Sequence, residues 1–88
     1  MRTKQDEDLR RSNIYWTVWE RLGTEAVIAA NVAKEDIKLA LAAADEEMGH
    51  FYSYFAGSKA REAFSFAIMA AEYRDKSRNM EIQSYQNS

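Results

Sequence analysis

The chain has 88 residues, no cysteine, no proline, and a net charge of −2 from 12 basic and 14 acidic side chains. These values exclude a disulfide framework and a thiolate metal site, and they give no basic excess that would steer the chain to nucleic acid. A single domain of this size buries only roughly 60 to 65 per cent of its unfolded surface, so its core is small and oligomerisation is a common remedy.

Helix formers dominate, and β-branched residues nowhere alternate with polar ones over the length of a strand. The expected fold class is all-α: a long antiparallel helical hairpin with an N-terminal helical segment packed on it, three to four helices in one domain, 1–88. Tails at about 1–5 and 83–88 are expected to fray. Residues 1–8, Met-Arg-Thr-Lys-Gln-Asp-Glu-Asp, lack the apolar core of a signal peptide, and no apolar run reaches the ~18 residues of a membrane span. The simplest expectation is a soluble, cytoplasmic protein.

The first helix is expected from Asp6 or Asp8, whose charges suit a helix N-terminus, to Leu22, with Gly23 as its C-cap. Thr24 would cap a short helix to about Asn31. Trp16 and Trp19 carry much potential buried area and are expected to anchor the first helix on the last one. A long helix follows, from about Ala33 to Ala56. Its Ile37, Leu41, Ala44, Met48, Phe51 and Phe55 are spaced by fours and threes, the pattern of a heptad seam. Gly57-Ser58 would break this helix, with Ser58 as the next N-cap. The last helix would run from Lys59 to about Ile82 and be apolar on two faces. Ala60, Phe64, Ala67 and Ala71 form one stripe, expected to face the seam; Phe66, Met69 and Tyr73 form the other. A chain this short has difficulty covering both.

Three functional classes follow. The leading one is a non-enzymatic helical protein-interaction module that associates with itself, or binds a larger protein as adaptor or inhibitor by occlusion. Its candidate contacts are Trp16, Trp19, Tyr52, Tyr54, Phe66, Met69 and Tyr73. Tyr52 and Tyr54 enter because a tyrosine ring is apolar and its hydroxyl wet, which suits interfaces. The second is a ferritin-like metal-binding half-site, since Glu47 and His50 have the Glu-x-x-His spacing of di-iron helical bundles. The third is a helix-turn-helix-like DNA-binding regulator, with Asn31 at the turn and Lys34, Glu35, Asp36 and Lys38 on the reading face. Two acids on that face repel phosphate, and no arginine is there to read guanine. One histidine, no cysteine and no Gly-rich phosphate loop offer nothing for an active site, so no enzyme, cofactor or metal is expected. The Arg74, Lys76, Arg78 cluster is explained by the dipole of the last helix.

Overall fold

The computed structural model describes residues 3–86. Two helices make up nearly all of it: α1, Lys4–Ala42, and α2, Glu46–Gln86. They pack as an antiparallel hairpin 66 Å long and 16 by 13 Å across. No strand is present among the described residues. The all-α class and the long hairpin are therefore present, but built from two helices, not three or four.

α1 starts at a reciprocal cap. The Thr3 hydroxyl accepts from the Asp6 amide at 3.1 Å, and the Asp6 carboxylate accepts from the Thr3 amide at 3.3 Å. The helix then runs through Gly23 and Asn31 without interruption, so the expected stop at Gly23 and the separate short helix are overturned. No described glycine has positive φ. Gly23 therefore acts as an ordinary helical residue, at the cost of conformational entropy that interior glycine carries.

The chain reverses at 43–45. Ala43 is extended, with φ −63° and ψ 142°, and its amide donates to the Ala40 carbonyl at 3.4 Å. Asp45 caps α2, accepting from the Met48 amide through Oδ1 at 2.8 Å. Acidic Glu46 and Glu47 in the first turn complement the dipole. The expected break at Gly57-Ser58 is absent; both residues lie inside α2, and Ser58 caps nothing. Helix also occupies 4–5 and 83–86, where fraying was expected, and Ser84 is fully buried. Residues 1, 2, 87 and 88 lie outside the described residues.

The seam between the helices is made of small side chains. On α2, Gly49, Ala56, Ala63, Ala70, Ser77 and Ser84 recur every seven residues and are buried or half-buried. On α1, Ser12, Ala26, Ala33 and Ala40 do the same, with Trp19 at the remaining heptad position. A strict seven-residue repeat keeps one stripe of each helix facing its partner. Two contacts set the register. Ser12 and Ser77 exchange bonds, each hydroxyl donating to the other's carbonyl at 2.9 and 3.0 Å. Near the tip, a Cβ on Gly49 would lie 3.3 Å from the Ala40 carbonyl oxygen. In this register Trp19 falls opposite Ala70, and Ala33 opposite Ala56. Larger half-buried residues, Tyr15, Leu22, Phe66 and Tyr73 among them, form the second row of the seam, with the Tyr15 and Tyr73 rings 5.8 Å apart.

The expected seam of Ile37, Leu41, Ala44, Met48, Phe51 and Phe55 is thus a correction. All six are exposed, Leu41 by 84%. They straddle the turn, so they cannot form one stripe on one helix. Ala60, Phe64, Ala67 and Ala71 are also exposed and do not face the seam.

Candidate interaction surface

A seam of alanine, serine and glycine leaves little room for large side chains, and the hairpin turns them outward. Among the described residues the buried apolar ones are Ala29, Ala33, Ala56 and Ala70, and the only side chain less than 2% exposed is Ser84. Trp16, Val27, Ile28, Leu41, Phe51, Phe55 and Phe64 are among the large apolar residues left at the surface.

These side chains lie on two flanks, one on each side of the seam. The seam's heptads place the rest of the helix surface around them. On the first flank Trp16 lines a hollow with Arg74, Arg78 and Glu81 at the open end of the hairpin. At the tip, Leu41 and Ala44 line another with Glu46, His50 and Ser53. Between them, at the same heptad positions, lie Gly23, Val27 and Ala30 of α1 and Gly57, Ala60, Phe64, Ala67 and Ala71 of α2. None of these is charged, though Glu20 and Lys34 share the same heptad positions on α1 and bracket them. Phe64 is 68% and Val27 60% exposed. The second flank carries Val32, Leu39, Met48, Phe51 and Phe55 near the tip and Ile14, Val18, Ile28 and Met69 farther along. The Phe51 and Phe55 rings sit edge to face at 4.9 Å. Toward the open end this flank carries charges, Arg11, Arg21, Glu25, Glu62 and Glu72.

No family model, curated protein or solved structure matches the chain. The surface must be read on its own chemistry.

The seven candidate contact residues do not form one patch. Trp19, Tyr52, Phe66 and Tyr73 belong to the seam and are half-buried. Trp19 does pack on α2, with the Arg74 guanidinium 6.0 Å from its ring, as expected of an anchor. Trp16 is turned out, 48% exposed, its indole N–H donating to the Glu20 carboxylate at 2.9 Å; its anchoring role is a correction. Tyr54 lies on the outer side of α2, and Met69 on the second flank. The Phe66, Met69, Tyr73 stripe is split, because Phe66 and Tyr73 fall at seam positions and Met69 beside them. Leu41, Phe64 and Val27, the most exposed apolar residues of the first flank, are missing from the expected set. The signal that could have found them is the seven-residue repeat of small residues from Gly49 to Ser84, which sets the inward stripe and thereby the outward ones.

The two alternative sites lack their geometry. His50 pairs with Glu46, 3.4 Å away, and not with Glu47. Among the described residues no three His, Cys, Asp or Glu side chains converge on a point. A helix-turn-helix needs a turn at Asn31, and α1 is continuous there. No described helix is long and apolar enough to cross a membrane.

Proposed function

We propose that the chain is a non-enzymatic helical association module, acting by covering and being covered rather than by chemistry. The observation that supports this reading is the distribution of apolar residues: those fully buried among the described residues are alanines, while Trp16, Ile28, Leu41, Phe51, Phe55 and Phe64 are exposed and Trp19, Leu22 and Phe66 only half-buried. Monomers carry apolar surface in scattered residues, whereas continuous apolar flanks mark interaction sites.

Surface area points the same way. The chain exposes 6750 Å². A compact monomer of 10.2 kDa would expose about 5,300 Å², leaving an excess of about 1,400 Å². A standard protein interface takes about 800 Å² from each partner. The radius of gyration, 19.6 Å, likewise exceeds the roughly 12 Å of a compact chain of this length. The hairpin is one layer of a thicker object.

Association with itself or with a larger protein fits these features. Light scattering across a concentration series is the test. A particle heavier than 10.2 kDa supports self-association. A monomer that binds an apolar dye supports a different protein as partner. A monomer that binds none overturns the reading.

A further inference from the structure

We propose that the first flank is the interface of an antiparallel two-fold dimer, two hairpins stacked face to face with their tips at opposite ends, α1 on α1 and α2 on α2. This rests on the association reading above and names its occupant as a second copy.

The argument is one of charge and shape along the flank. Glu20 and Lys34 are the two charged residues that bound its apolar middle on α1, and the midpoint between them is position 27. On α2, Arg78 and Glu46 stand near the two ends, and their midpoint is position 62. In the hairpin register set by Ser12 with Ser77 and Ala40 with Gly49, positions 27 and 62 lie directly opposite each other. One two-fold axis across the hairpin at that level therefore serves both helices. It brings Glu20 to Lys34 of the second copy, and Arg78 to its Glu46. Each contact occurs twice, as an isologous interface requires.

The uncharged residues obey the same axis. Val27 meets its own counterpart. Trp16 falls at the level of Lys38, beside Ile37. Phe64 falls opposite Ala60, a large ring against a methyl group, as interdigitating layers need. The hollow of Trp16, Arg74, Arg78 and Glu81 is laid over the tip hollow that holds Glu46 and His50, with Arg74 at the level of His50. The other face-to-face arrangement, with tips together and α1 on α2, sets Glu20 over Ala67 and Ala71 and Lys34 over Ser53 and Gly57, with the opposite charge nearest to Glu20, Arg74, five residues off its level. Burying such charges unpaired is costly, so the antiparallel arrangement is the one that the charges favour.

The chain's lack of cysteine makes the test clean. Val27→Cys places two thiols at the axis, while Val32→Cys places one on the second flank. Under mild oxidation Val27→Cys should give a disulfide-linked dimer in high yield and Val32→Cys should not. Glu20→Lys should weaken dimerisation about tenfold, through like charges set against Lys34, and Glu20→Lys with Lys34→Glu should restore it. A dimer by mass that cross-links through position 32 and not 27 overturns this interface but leaves self-association standing. A dimer in which Glu20→Lys is neutral and Val27→Cys stays reduced overturns it as well. A monomer that binds apolar dye overturns the two-fold and leaves the flank for a different protein; a monomer that binds none overturns both readings.

Discussion

The Ser12 and Ser77 pair is the most informative side-chain contact in the molecule. Two hydroxyls lie 3.2 Å apart, each also donating across the seam to a carbonyl, and both residues are buried. Serine is small enough to let the helices approach and polar enough to specify which residues meet. Two consequences are measurable. Ser77→Leu should destabilise the hairpin by about 1 to 3 kcal/mol in urea unfolding, because an isobutyl group does not fit between helices spaced for serine. Ser12→Cys with Ser77→Cys should form an intramolecular disulfide, visible on a non-reducing gel. That bridge forms only if the chain reverses near residue 44, the midpoint of the pair. A reversal at Gly57-Ser58 would leave positions 12 and 77 on helices with a different pairing, and no such bridge would appear.

At the scale of elements, the glycines are where reading and structure part. Gly23 and Gly57 look like punctuation, yet both sit in unbroken helix, and a Cβ on either meets nothing within 4 Å. Gly23→Ala should therefore stabilise α1 by about 0.5 to 1 kcal/mol, read as a raised melting temperature at low protein concentration. Gly49 differs, since the Ala40 carbonyl is 3.3 Å from where its Cβ would stand. The true reversal has no glycine at all; it is marked by Asp45, whose carboxylate holds the Met48 amide. Asp45→Ala should cost about 1 kcal/mol by chemical denaturation. Helical content was legible in composition; the antiparallel hairpin was expected too, but from a break at Gly57-Ser58 and a seam that the structure does not contain. The position of the turn was not legible, because Ala42-Ala43-Ala44 are strong helix formers and the cap at Asp45 is a single residue. The seam was missed for a related reason. Heptads were sought among large residues such as Ile37 and Phe51, whereas the inward stripe is Gly49, Ala56, Ala63, Ala70, Ser77 and Ser84. Small side chains at heptad spacing draw two backbones together and expel bulk to the flanks. Of the candidate contacts, Trp16 was expected to anchor on the last helix and is turned out instead, and nothing in the local sequence marks the face on which Trp16 or Tyr54 lies.

The whole molecule is a thin rod whose apolar matter lies on its surface. Its stability should depend on what covers it. If a second copy does so, the melting temperature should rise with protein concentration by mass action, and differential scanning fluorimetry over a hundredfold range should show it. An intrinsically stable monomer would melt at one temperature throughout. Lys59 with Glu62 and Lys38 with Glu35, exposed pairs at 3.0 and 3.2 Å, contribute little to either outcome.

The extended backbone at Ala43 has a consequence of its own. The extended Ala43, with ψ 142°, and the two non-helical residues after it separate this fold from a single uninterrupted rod. The 83 residues from Lys4 to Gln86 would span roughly 125 Å as one helix. Were the elbow to open, α2 could reach across to a sister chain instead of folding back on its own α1. In the exchanged form each seam would be rebuilt from two molecules, residue for residue. Proline at position 44 disfavours helix at Ala43 while tolerating its present angles; an A44P variant would hold the elbow bent and forbid that exchange.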